Sequence, residues 1–301
     1  MDLKFDLLPQ LFVNGVINGS AYAALGLSFA LILRVAGRFH VAWAMIYTLA
    51  AYVAVVAAQD FGLPLVPAII LGLAAAALAG ILTEWIVYRP LDARGGGLLG
   101  IFIASLGLII VTENLIRLTW ASQTLYRPLP GFPTELISLQ DVTFTTLDLA
   151  SVLTAWFLLV AVALFLKYAP HGRWINAVRV NPEMAQVVGI SPDKVHLLVF
   201  VLGSVIAGVF AIYAAMKFAA VPDMGWQPLF LAFMVAFLSP RFTPLSLALT
   251  GIFVGLVESL SGIALTANWS PLVVFSVLLA YLIVLPIRLP RLAKLVRAWA
   301  G

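Results

Sequence analysis

From about residue 7 to residue 287 the chain is one apolar run after another, and only one interruption between runs is both long and rich in charge. Crossing a bilayer as a helix takes about 20 predominantly apolar residues. Runs at about 7–33, 41–58, 64–87, 98–117, 148–166, 195–216, 228–238, 244–264 and 270–287 therefore predict an all-α polytopic membrane protein of about 8–10 transmembrane helices. The seventh run is short and ends at Ser239-Pro240, so it reads as a half-helix or re-entrant segment. A soluble domain carries roughly a quarter of its residues charged. Here 10% are charged and 63% hydrophobic, which excludes that class.

The interruption is 167–194, KYAPHGRWINAVRVNPEMAQVVGISPDK. It carries two helix-start signals. Asn181-Pro182-Glu183 supplies an N-cap, a proline at the first helical position and an acid in the first turn, and Ser191-Pro192-Asp193 repeats the pattern. Between them Met184, Val187 and Val188 fall on one helical face, and Gly189 is a natural stop. The stretch predicts a short amphipathic helix, over 182–188, held between two spans and presented to something soluble.

Lysines and arginines set orientation. If 167–194 is cytoplasmic and the runs alternate, Lys4, Arg117, Arg127 and Lys217 lie outside and the other thirteen of the seventeen lie inside. That places the N-terminus outside, the C-terminus in the cytoplasm, and 118–147 outside as an ordered loop or short helix. Asp2, Lys4 and Asp6 do not form a cleavable signal peptide, and the following apolar run is too long for one. The absence of cysteine excludes disulfides, and the net charge of +4 calls for no nucleic-acid partner.

Small residues recur at helical spacing: Gly15, Gly19, Ala23; Gly72, Ala76, Gly80; Gly203, Ala207, Ala211; Gly251, Gly255. In lipid such stripes let helices approach, and packing within one bundle is the expected use. Intramembrane polar groups carry functional hypotheses by default. Asn14 and Asn18, one turn apart beside Ser20 and Tyr22, suit either a substrate pathway or interhelical hydrogen bonds. Glu258 is the deepest carboxylate. Glu84 with Arg89 reads as an interfacial ion pair, and Glu113 with Arg117 as interfacial groups. His40, His171 and His196 lack metal-ligand spacing, and there is no Walker motif, no serine–histidine pair and no catalytic constellation. Neither catalytic nor metal residues are expected.

Residues 172–208 resemble the cytoplasmic coupling loop of bacterial ABC importer permeases of the branched-chain amino acid family, LivH/LivM type, and are most similar to the LivH half. Gly172-Arg173, Ala177, Met184-Ala185, Gly189-Ile190 and Lys194 carry the resemblance. So do VNGVINGSAYAALGLSFALIL (13–33), Glu84 with Arg89-Pro90-Leu91, IASLGLIIVTEN (103–114) and GIFVGLVESL (251–260). Two stretches depart. His40-Val41-Ala42-Trp43-Ala44-Met45 stands where the family has an Asn-Phe-Ala-His-Gly type segment. Ser239-Pro240-Arg241-Phe242-Thr243 stands where it has Gly-Gly-Leu-Gly.

The resemblance implies that 1–301 is a single transmembrane permease domain in the bacterial inner membrane. It implies an importer of a branched-chain or hydrophobic amino acid, or a related small solute. A periplasmic binding protein would deliver the cargo. A homologous LivM-like permease subunit, or a second copy, would complete the pathway. Two cytoplasmic ABC ATPase subunits would bind the ATP and Mg, leaving this chain without a cofactor. Gly172, Arg173, Ala177, Asn181, Glu183, Met184, Ala185, Val188 and Gly189 would couple to the ATPase. Asn14, Asn18, Tyr22, Phe39, Trp43 and Glu258 would line the pathway, with Phe39 and Trp43 hinting at aromatic or more apolar cargo. The competing reading is a stand-alone ion-coupled secondary transporter, which would need a midplane ionisable site and usually an inverted repeat.

Overall fold

The computed structural model describes residues 7–119, 129–139 and 142–263, together with helical residues at 273, 275–277, 279 and 280. The helices in chain order are α1 (Leu8–Ala36), α2 (Trp43–Gln59), α3 (Leu65–Ala93), α4 (Gly97–Thr119), α5 (Thr146–Tyr168), α6 (Pro170–Val180), α7 (Pro182–Val187), α8 (Pro192–Lys217), α9 (Trp226–Leu238) and α10 (Pro244–Ser261). Six of them (α1, α3, α4, α5, α8 and α10) are long and apolar enough to span a membrane, and α2 and α9 are shorter apolar helices. The first eight predicted spans coincide with these elements; the ninth, 270–287, lies largely outside the described residues. The expected short seventh run is the 13-residue α9. At 1.5 Å per residue it is only about 20 Å long, less than the ~30 Å hydrocarbon core.

Lipid explains which faces are apolar. α1, α2 and α8 form the centre, with Ala23, Leu27, Trp43, Ala50, Phe200 and Ala207 fully enclosed. α3, α4, α5 and α10 turn large apolar side chains outward, among them Ile70, Leu78, Ile103, Ile110, Phe157 and Phe253. In water such a surface would aggregate; against acyl chains it carries no penalty. The small-residue stripes pack inside the chain. Gly15 and Gly19 of α1 lie against Gly251, Ile252, Gly255 and Leu256 of α10, while Gly72 abuts Ala50 and Ala54, Gly80 abuts Ser204, and Gly203 abuts Ser28 and Ile32.

Within α3, residues Thr83–Tyr88 form a π turn. The widened turn brings Glu84 and Tyr88 inward together while Trp85 and Ile86 face out. The sequence reading paired Glu84 with Arg89. The structure corrects this: Glu84 is bonded to Arg38 of the α1–α2 link, and Arg89 reaches Asp193 at the start of α8 at 2.5 Å. The ordered loop or short helix expected over 118–147 contains, in its described part, two paired β-strands. Leu136–Leu139 (β1) pairs antiparallel with Val142–Thr145 (β2), Leu136 opposite Thr145. Gln10 of α1 clips β2 at both backbone groups of Thr143, accepting from its N–H at 2.7 Å and donating to its C=O at 2.8 Å.

These contacts sort the bundle into two ends. The hairpin end gathers the start of α1, the end of α8 and the start of α5. The opposite end gathers the α1–α2 link, the end of α3, α6, α7 and the start of α8. Among the described basic residues, only Arg117 and Lys217 lie towards the hairpin end; the rest cluster at the other.

Candidate functional site

A cavity of about 590 Å³ lies between α1, α5, α8, α9 and α10, towards the hairpin end. Its apolar wall comes from Ile17, Leu25, Phe210, Met224 and Leu231. Its polar groups are Asn18, Tyr22, Tyr47, Asp148, Ser151, Tyr213, Lys217, Gln227 and Glu258. That mixture, an apolar concavity with sparse polar groups, is the usual composition of a small-solute site.

Local chemistry fixes these groups. The Tyr22 hydroxyl donates to Glu258 Oε2 at 2.6 Å, joining α1 to α10. Lys217, in the last turn of α8, donates to Asp148 Oδ1 at 2.5 Å. Asp148 sits at the third position of α5 in a capping box: its Oδ2 accepts from Thr145 N at 3.1 Å and from Thr145 Oγ1 at 2.8 Å, while Thr145 Oγ1 caps the Asp148 N–H. Tyr47 donates to the Phe210 carbonyl at 3.1 Å, and Tyr213 shares a 2.8 Å hydrogen bond with Thr154. Above the cavity Trp226 donates to Glu113 at 2.5 Å, so Glu113 serves α9 and not only the interface expected for it.

Of the pathway residues expected from sequence, the structure brings Asn18, Tyr22 and Glu258 to this cavity. It places the other three elsewhere. Asn14 accepts a hydrogen bond from Gln10 one turn earlier. Trp43 is fully enclosed, donates to Ser28 Oγ at 2.8 Å and stacks on Tyr47 with ring centroids 5.4 Å apart. Phe39 sits in an aromatic cluster with Phe29, Phe102, Phe233 and Phe237 near the opposite end. Asp148, Lys217 and Gln227 escaped the sequence reading because they lie at span termini, where charge is ordinary. Their signal is an opposite-sign pair on two helix ends, visible only once α5 and α8 are known to be neighbours.

At the other end α7 stands where the amphipathic helix was expected, over Pro182–Val187. The Asn181 side chain accepts from Met184 N at 3.0 Å, and Gly189 closes the turn at φ +84°. Ala185 is tucked inward, while Met184, Val187 and Val188 are 61%, 78% and 71% exposed. The α6 helix before it was not foreseen, though Pro170 at its first turn and Ile175 with Val178 on one face were legible. Gly172 is obligatory there, since a Cβ would fall 2.1 Å from the Phe165 carbonyl oxygen. Arg173 and Glu183 are exposed, Ala177 is half-buried, and Arg179 lies over the Phe242 ring at 5.1 Å.

A polytopic helical bundle with a sparse polar cavity at one end and an unpartnered apolar helix face at the other is the build of a membrane permease. Residues 11–284 match the family model described as "Branched-chain amino acid transport system / permease component", and the chain belongs to that family. It is 27% identical over 291 residues to the high-affinity branched-chain amino acid transport system permease protein LivH of Escherichia coli K12, covering 93% of this chain and 94% of that protein. It is 26% identical over 289 residues to the permease protein BraD of Pseudomonas aeruginosa, covering 92% and 94%. No solved structure matches. The chain is thus a permease subunit and a multi-pass protein of the bacterial inner membrane.

Proposed function

We propose that this permease subunit works in an ATP-driven ABC importer, carrying a branched-chain or other hydrophobic amino acid, or a related small solute. A periplasmic binding protein hands the cargo to the hairpin end, which faces outward. The basic end faces the cytoplasm, where α7 docks in a groove of an ABC ATPase subunit. That partner holds the ATP and Mg; this chain needs no cofactor of its own. A LivM-like permease, or a second copy of this chain, supplies the other half of the pathway.

The observation that carries this reading is the α7 face. Met184, Val187 and Val188 are apolar, exposed and clear of the lipid-facing helices, yet their backbone is fixed by a cap on one side and a left-handed glycine on the other. A rigid helix offering i, i+3 and i+4 apolar anchors is how helices enter grooves of partner proteins. Arg173 and Glu183 form its polar rim. The deciding experiment is uptake of labelled leucine by cells expressing the double variant Glu183→Lys, Met184→Asp. Membrane insertion is expected to stay normal and uptake to vanish. Normal uptake would remove α7 from the coupling path.

A further inference from the structure

We infer that the cavity holds an amphipathic amino acid in one orientation, its polar head towards the hairpin end against the Asn18 and Gln227 amides and its apolar side chain inward against Leu25, Phe210 and Leu231. The inference rests on the amino-acid reading above and deepens it. Asn18 and Gln227 become head-group residues, and the two inner leucines set the size of side chain accepted. The starting point is which polar lining groups are already in use. Tyr22 is bonded to Glu258, Asp148 to Lys217 and Thr145, Tyr47 to the Phe210 carbonyl, and Tyr213 to Thr154. The Asn18 and Gln227 amides and the Ser151 hydroxyl also line the cavity and make no side-chain hydrogen bond among the described residues.

An amide within a membrane protein is costly to leave without a protein partner, and such a group is a candidate contact for cargo. Each amide carries a carbonyl acceptor and two N–H donors. It can therefore serve either the carboxylate or the ammonium of a zwitterion. Asn18 and Gln227 sit on different helices, α1 and α9, so the two together reach a head group from two sides of the cavity.

Helix direction gives the orientation. α1 starts at the hairpin end, where Gln10 clips β2, and α9 starts there too, with Trp226 bonded to Glu113 near the end of α4. On α1, Asn18 is therefore the outer residue and Leu25 lies about 10 Å farther in. On α9, Gln227 is the outer residue and Leu231 lies about 6 Å farther in. α8 runs the other way, and its Phe210 lies inward of Lys217. Apolar groups line the cavity at both levels, but beyond Tyr22 the inner part holds one polar side chain, Tyr47, and its hydroxyl is taken by the Phe210 carbonyl. A head group placed there would lose its water and gain no partner, whereas an aliphatic side chain would be buried against leucine and phenylalanine.

The test uses the complete transporter with its binding protein and ATPase subunits in liposomes, reading valine and leucine carried per ATP hydrolysed, each supplied at saturation. Asn18→Leu and Gln227→Leu are each expected to lower both cargoes alike, about 5-fold, the scale of one neutral hydrogen bond. The unfolding midpoint of the Asn18→Leu complex in detergent should hold or rise, because an amide without a protein partner has been removed. Leu231→Phe should lower leucine about 10-fold more than valine, since the two cargoes differ by one methylene at the inner end. Leu25→Phe, on another helix, asks the same question should Leu231→Phe not assemble. Unchanged ratios in Asn18→Leu would overturn the assignment. So would a lowered midpoint in that variant, which marks an amide that holds the fold, and so would equal losses of valine and leucine in Leu231→Phe, which would take the side chain away from the inner end. A parent complex that hydrolyses ATP but carries neither amino acid would instead overturn the function on which the assignment rests.

Discussion

Arg38 crosses from the α1–α2 link to Glu84 inside the π turn of α3, and its other terminal nitrogen holds Asp92 at 2.6 Å. Both side chains of the first pair are almost fully enclosed, at 7% and 4% exposure. Removing one partner of a buried pair strands the other charge, at about 3–5 kcal/mol. Arg38→Met is therefore expected to cost at least about 3 kcal/mol, since Glu84 is left without its cation. Glu84→Gln should cost less, because Asp92 still faces Arg38. The double variant Arg38→Met, Glu84→Met should recover part of the loss, and a double-mutant cycle on thermal unfolding in detergent measures the coupling. Additive effects would show that the pair is not an energetic unit.

The α1–α10 contact sets a second expectation. A Cβ on Gly251 would lie 2.4 Å from the Ala23 nitrogen and 2.5 Å from its Cα, both backbone atoms that cannot step aside. Gly251→Ala must push α10 away from α1, so a loss of about 3 kcal/mol is expected, at the upper end for overpacking. Gly107 in α4 is the control, since a Cβ there would meet nothing within 4 Å. Gly107→Ala should leave the unfolding midpoint unchanged or raise it by the helix-propensity gain, below about 1 kcal/mol. Yields of folded protein after detergent extraction should rank the two in that order.

How far these features could be read in advance depends on their range. The α7 helix was legible to its ends because Asn181, Pro182 and Gly189 are local signals acting within one turn. The spans were legible because length and hydropathy decide them. The glycines of α1 and α10 were legible as contact residues, but not as partners of one another. Arg38 with Glu84, and Lys217 with Asp148, are separated by 46 and 69 residues. No periodicity encodes such a pairing; it follows from which helices become neighbours. Glu84 was also assigned to Arg89 because that cation is only five residues on at the same end of the span, whereas its partner Arg38 is 46 residues away.

The rigidity of α7 can be checked without a transport assay. Asn181→Ala removes the side-chain acceptor from Met184 N, at about 1 kcal/mol. Gly189→Val forces a β-branched residue to φ +84°, at roughly 1–2 kcal/mol. Hydrogen exchange over 182–188 should rise about 10-fold in each, since about 1.4 kcal/mol corresponds to a factor of ten. Protection in α8 should be unaltered. Unchanged exchange in α7 would mean that its shape is set by packing of Ala185 and not by its caps.

The last expectation concerns pH and the α1–α2 link. His40 is wholly buried outside the helices, with Nδ1 2.8 Å from the Tyr88 hydroxyl, which is 2.5 Å from Ser105 Oγ. Ser105 donates its proton to the Ile101 carbonyl, so Tyr88 must donate to Ser105 and His40 Nδ1–H to Tyr88. That leaves Nε2 unprotonated, beside Phe200 and without a partner among the described residues. Burial, then the charge of Arg38, push the imidazole down to about 3 from its usual 6.5. The folded state therefore refuses a proton that the unfolded chain accepts below about 6.5, so stability falls as pH drops from there towards 3. The slope approaches about 1.4 kcal/mol per pH unit well below 6.5. His40→Asn keeps a donor near the Nδ1 position and cannot titrate. The parent should lose about 1 kcal/mol more than this variant between pH 7.5 and pH 5.5 in detergent unfolding. Parallel pH profiles would show that His40 charges in place and that the buried chain through Tyr88 yields to it.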